Sequence, residues 1–193
     1  MNEGRTVFAQ LMGELPQYEF DKCVRRYRGD HRVRSLPSYE QFLVMGFAQL
    51  TYRESLRDIE TCLRALGPKL YHSGIGQPTA RSTLADANEK RDWRIFSDFA
   101  HVLIEQASLL YAEEPFGAEL KQAAYALDST TIDLCLSLFP WAKFRRHKAA
   151  IKLHTLLTLR GCFPTVVILT TGQVHDVNIL DQLVYEAGSF YIV

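Results

Sequence analysis

Tyr125-Ala126-Leu127-Asp128-Ser129-Thr130-Thr131-Ile132-Asp133-Leu134 is the stretch whose reading decides the fold. The run from Ala123 to Leu127 is uncharged and strand-compatible, and Ser-Thr-Thr-Ile continues it with β-branched composition. It reads as a buried strand that delivers one carboxylate, Asp128, to its end. An aspartate after such a run has two readings: a turn or cap residue, or a hard oxygen ligand for a divalent cation. One Asp does not choose between them.

Toward the C-terminus the period of two continues. Ile151, Leu153, Thr155, Leu157 and Leu159 alternate with Lys152, His154, Leu156 and Thr158, the pattern of a half-buried strand. Arg160-Gly161 opens a short connection, and Thr165 to Thr171 is a second β-branched run. Asn178-x-x-Asp181 reads as the cap of a short helix, and Ser189 to Val193 as a further apolar strand. Three consecutive strands, a helix and another strand make an α/β arrangement. An apolar strand left unfinished at Val193 gives the expectation of a piece of a longer core.

Upstream of a junction at Glu113-Glu114-Pro115-Phe116-Gly117 the period is helical. Val7, Phe8, Leu11, Met12 and Leu15 share one helical face ahead of Pro16. Ser38-x-x-Gln41 and Thr51-x-x-Glu54 read as capping boxes. The second opens a helix striped with Leu56, Ile59, Leu63 and Leu66 and stopped at Gly67-Pro68. Gly67, Pro68, Gly74, Gly76 and Pro78 mark residues 67–80 as a loop. Ser82 to Arg91 is a short polar helix whose exposed face offers Ser82, Asn88, Lys90 and Arg91, and a longer helix with Phe96, Phe99, Leu103 and Leu110 follows. Helix, connection and polar helix read either as a helix-turn-helix or as an ordinary helical domain with a charged surface. The expected organisation is a helical region over residues 1–118 and the α/β region over 119–193.

With 193 residues, 47% of them apolar, the chain can bury a core. Lys+Arg and Asp+Glu both number 22, so no global field advertises a polyanionic partner. Locally the charge is uneven. Lys22, Arg25, Arg26, Arg28, Arg32 and Arg34 form one basic cluster, and Lys143, Arg145, Arg146, Lys148 and Lys152 a second without an acid among them. Each is either a solvated face or a phosphate contact. Cys23, Cys62, Cys135 and Cys162 are widely spread, which points to four free thiols in a reducing cytoplasm. Zinc would have to recruit His147, His154 or His175 with distant cysteines at no standard spacing. No signal peptide or membrane-spanning run is present.

Taken together, Gly4 to Phe8, Gln49 to Asp58, Ser82 to Trp93 and above all Tyr125 to Leu134 carry a family resemblance, continued by Phe144-Arg145-Arg146-His147-Lys148 and Val174-His175-Asp176. The chain resembles, over nearly its whole length, the N-terminal portion of a bacterial insertion-sequence transposase of the DDE type, in the family named for insertion sequence four. The resemblance implies a helical DNA-binding region followed by an incomplete ribonuclease-H-like mixed β-sheet core. It implies DNA transposition by cutting and joining element ends, at two aspartates and a glutamate around Mg2+ (or Mn2+).

Asp128 matches the first aspartate and is the expected catalytic residue and metal ligand. The second belongs directly after a strand like Tyr191-Ile192-Val193, and the glutamate has no counterpart; Tyr52-Arg53-Glu54 echoes its signature but precedes the core. His175 and Asp176 are near-site candidates, with capping as the other reading of Asp176. Lys143, Arg145, Arg146, His147 and Lys148 suit phosphate contacts at a hairpin tip near the catalytic face, joining Ser82, Asn88, Lys90 and Arg91 as DNA-binding candidates. Trp141 and Phe144 either stack on an extruded base or pack that hairpin. On this reading the chain alone does not cleave DNA. Two further readings stay open: a DNA-binding piece that occupies element ends and interferes with intact transposase, and an inert, poorly folded product. Uncovered strand edges predict self-association.

Overall fold

The computed structural model describes residues 4–112, 123–134, 137, 140–145 and 148–193. The chain divides into two compact units, Met1–Val102 and Leu103–Val193. The expected boundary at residue 118 lies outside the described residues.

Apolar residues three and four apart build the N-terminal unit from helices. These are α1 (Val7–Gly13), α2 (Gln17–Arg26), α3 (Ser38–Leu50), α4 (Leu56–Leu66), α5 (Arg81–Lys90) and the start of α6 (Arg94–Leu110). Leu43, Val44 and Phe47 of α3 pack with Ile59 and Leu63 of α4 and Leu84 of α5 in one buried cluster. Phe20 of α2 is fully buried in a second, aromatic cluster with Tyr39, Phe42 and Phe99, its ring centroid 5.1–5.5 Å from theirs. Helix α2 falls where the sequence shows a basic cluster. Phe20, Cys23 and Val24 turn inward while Lys22, Arg25 and Arg26 stay outside and dominate the pattern.

Neither expected capping box forms. Ser38 is already the first residue of α3, behind Pro37, and its hydroxyl donates to Asp30 Oδ1 at 2.7 Å. Thr51 closes α3 instead, its hydroxyl donating to the Phe47 carbonyl at 2.7 Å, and Ser55 caps α4 by accepting the Asp58 N–H at 3.2 Å. Within the expected loop 67–80, Gly67–Ser73 winds into a 3₁₀ turn that seats Leu70 in the core. Val7 and Leu11 are exposed, and α1 packs through Phe8, Ala9 and Met12 instead.

The second unit is a five-stranded mixed sheet: β1 (Ala124–Leu134), β2 (Lys143–Arg145), β3 (Lys148–Thr158), β4 (Phe163–Thr171) and β5 (Phe190–Ile192). Strand β3 pairs antiparallel with β1, β2 and β4, and β1 pairs parallel with β5, giving the order β4–β3–β1–β5. Between β4 and β5 lies α7 (Asp176–Leu180). It begins before Asn178, so Asn178 is not its cap. Ile179 and the following Leu183 pack onto Leu127 and Leu156.

That packing fixes the two faces, because successive side chains on a strand alternate. Tyr125, Leu127 and Ser129 point toward α7; Ala126, Asp128 and Thr130 point away. On β3, Ala149 and Ala150 are buried near its start; beyond them His154, Leu156 and Thr158 are buried, whereas Ile151, Leu153, Thr155 and Leu157 are only half-buried. Leu169, Phe190 and Ile192 stand exposed on the face opposite α7. No helix among the described residues is long and apolar enough to cross a membrane.

Candidate active site

Asp128 lies in the middle of β1, not at its end: the ladder runs on without a break from Asp128↔Thr155 to Leu134↔Ala149. Its carboxylate is exposed and has no hydrogen bond or ion pair among the described residues. The turn-or-cap reading therefore fails, since a mid-strand carboxylate caps nothing. Its neighbours on that face are Thr155 across the ladder and Val167 one strand further.

The near-site candidates go elsewhere. His175 is exposed, and Asp176 opens α7 on the face opposite Asp128. Asp176 sits in a polar cluster that the sequence reading missed. Lys152 Nζ donates to its Oδ1 at 3.3 Å, and His154 Nδ1 lies 2.8 Å from the same oxygen. That His154 contact is close but not a well-aligned hydrogen bond, and Nδ1 has no other partner among the described residues. The other ring nitrogen, Nε2, lies 2.8 Å from the Thr170 hydroxyl. Burial pushes the Asp176 carboxyl upward, but bonds from Ser129 and Lys152 and the nearby His154 outweigh it and leave the group below the usual carboxylate range. Because Ser129 reaches Asp176, its chain neighbour Asp128 must face away. The signal for this cluster was the placement of His154 and Lys152 on one strand face.

The basic hairpin stands at the far end of the sheet. Lys143 pairs with Ala149, which also faces Leu134, six residues from Asp128; that is about 20 Å along the strand. Lys143, Arg145 and Lys148 are exposed, and the Arg145 guanidinium lies 5.1 Å from the centre of the Phe144 ring, so Phe144 serves the hairpin. Arg146 and His147 lie outside the described residues.

On α5, Ser82 is exposed, Lys90 pairs with Asp86 at 3.2 Å, and Asn88 Oδ1 accepts from Gln41 at 2.7 Å. Arg91 does not belong to the exposed face. Its side chain is 6% exposed, and its guanidinium is bonded to Gln41, Gly29, Asp30, Ser38 and Leu36. Buried acceptors claimed it, where the sequence showed only one more charge on a polar helix.

Among the described residues no three His, Cys, Asp or Glu side chains group to hold a metal ion. Asp128 fits as one hard oxygen ligand, and by itself it does not make a two-metal site.

Residues 119–189 match the family described as a transposase DDE domain, and residues 3–76 match a domain of unknown function, DUF4372. A probable transposase for insertion sequence element IS5377 of Geobacillus stearothermophilus is 35% identical over 57 residues. That match takes in 30% of this chain and 15% of that protein. No solved structure matches. The sheet unit that carries Asp128 is thus similar to a transposase DDE domain, behind a helical unit similar to a domain whose function is unknown.

Proposed function

We propose that this chain belongs to the machinery of DNA transposition, with Asp128 as the first metal-binding carboxylate of a strand-cleaving site and DNA as the substrate. The observation that carries this is Asp128 itself. Aspartate is disfavoured in strands, and here it sits unpaired in the middle of one, among Ala126, Thr130 and Thr155 and beside exposed apolar side chains. No packing or pairing within the described residues explains it, whereas a divalent cation would.

The strand order supports a ribonuclease-H-like core, antiparallel through β4, β3 and β1 and parallel at β5. Ala126 stands beside Ile192 in the parallel ladder, so a carboxylate two residues past Ile192 would stand abreast of Asp128 on the same face. In such a site divalent metal stabilises the attacking and leaving oxygens. Asp128 contributes one ligand and leaves further carboxylates to be supplied, so the 193-residue chain alone is expected not to cleave.

Nicking of supercoiled plasmid with Mg2+ or Mn2+ tests this. A polypeptide that joins this chain to a carboxylate placed abreast of Asp128 is expected to nick. Asp128→Asn should cut its rate by at least about 100-fold, the upper range for outer-shell ligand partners alone. Nicking by the 193-residue chain that Asp128→Asn abolishes would overturn the need for further carboxylates. Nicking that Asp128→Asn leaves intact would remove Asp128 from the chemistry.

A further inference from the structure

We propose that the N-terminal unit holds the sugar–phosphate backbone of duplex DNA in a cleft between the loop 28–35 and α5, through Arg28, Arg32 and Arg34. The inference rests on the reading that DNA is the partner, and it names a surface that would take it.

The cleft measures ≈ 700 Å³, with the loop on one side and Ser82, Thr83 and Lys90 of α5 on the other. The acids that line it are already paired, Asp86 with Lys90 and Asp92 with Arg94, and Asp30 of the loop pairs with Arg91. Arg28, Arg32 and Arg34 are exposed and make no side-chain hydrogen bond or ion pair among the described residues. Three guanidinium groups without counter-charge at one concavity make a local positive field in a chain of zero net charge.

The loop is built rather than slack. Arg91 donates to the Gly29 carbonyl at 2.8 Å and to the Leu36 carbonyl at 2.6 Å, so one buried side chain clamps both ends. Between and beside those clamps, Arg28 and Arg32 are held at φ of 52° and 59°, the left-handed region that long side chains seldom adopt. A loop fixed in advance loses less entropy on binding. On the facing wall, α5 starts without a side-chain cap, so the first-turn N–H groups beside Ser82 and Thr83 suit phosphate oxygens. Duplex DNA offers one negative charge per about 1.7 Å of its axis, enough to meet several arginines at once.

Fluorescence anisotropy with a duplex of about 20 base pairs, in EDTA so that cleavage does not enter, tests the proposal. The chain is expected to bind with salt-sensitive affinity. The triple variant Arg28→Gln, Arg32→Gln, Arg34→Gln should bind at least about tenfold more weakly, with the slope of log K against log salt reduced by about 3. The corresponding Lys triple keeps the charges and should retain most of the binding. A control triple, Arg25→Gln, Arg57→Gln, Lys69→Gln, removes the same charge from exposed positions outside the cleft and should change affinity less than about threefold. If the Gln triple does not fold, Arg34→Gln alone decides, with an expected slope change of about 1. No duplex binding, an unchanged Gln triple, or equal loss in both triples would overturn the proposal. Because no metal is present, its failure is separable from failure of the Asp128 reading: either can fall while the other stands.

Discussion

Arg91→Met is expected to destabilise the N-terminal unit by about 3–5 kcal/mol, the usual cost of removing one partner from a buried ionic network. Methionine matches the length of the arginine stem but donates nothing. It would strip donors from Gln41 Oε1, Asp30 Oδ1, the Ser38 hydroxyl and the carbonyls of Gly29 and Leu36. Asp30 is 42% exposed and recovers part of its loss from water, but Ser38 is fully buried and Leu36 nearly so. Burial pulls the Arg91 guanidinium below its ordinary pKa, and the neighbouring Asp30 carboxylate opposes that. For a unit of this size the loss corresponds to a melting midpoint lower by more than about 12 °C, read from helical circular dichroism. A drop under about 4 °C would mean that the network is dispensable.

Phe20→Ala should cost a similar amount, about 3–5 kcal/mol, by a different route. Phe20 is 0% exposed, and its ring stands 5.1 Å from Phe99, 5.3 Å from Phe42, 5.5 Å from Tyr39 and 6.2 Å from Phe96. Truncation leaves a cavity and forfeits edge-to-face contacts worth about 0.5–1.5 kcal/mol each. Phe20→Leu, which keeps much of the volume, should lose far less. Denaturant titration separates the two, with the midpoint falling for Phe20→Ala at nearly constant slope. A loss under about 1 kcal/mol for Phe20→Ala would show that α2 is not held by this cluster.

What the sequence made legible was what periodicity controls. Strands β1, β3, β4 and β5 sit where alternation and β-branched runs put them, and α4 follows its Leu56–Ile59–Leu63–Leu66 stripe. What stayed hidden was decided by partners far along the chain. Ser38 and Thr51 carry capping motifs, yet Asp30 and the Phe47 carbonyl took their hydroxyls. Lys152 and His154 look like the wet side of a strand, but Asp176 arrives to pair with them and turns that face inward. The strand that carries Asp128 was readable from its uncharged, β-branched composition. The mid-strand position of Asp128, and the face that separates it from Asp176, follow only from ladder register and from which side α7 covers.

The most direct measurement is paramagnetic broadening by Mn2+ in the nitrogen-15 spectrum of the chain. Weak binding is expected, with broadening that centres on the amides of residues 127–129 and of Thr155 across the ladder and disappears in Asp128→Asn. Broadening centred on Asp176 and Lys152, with the Asp128 region untouched, would contradict it.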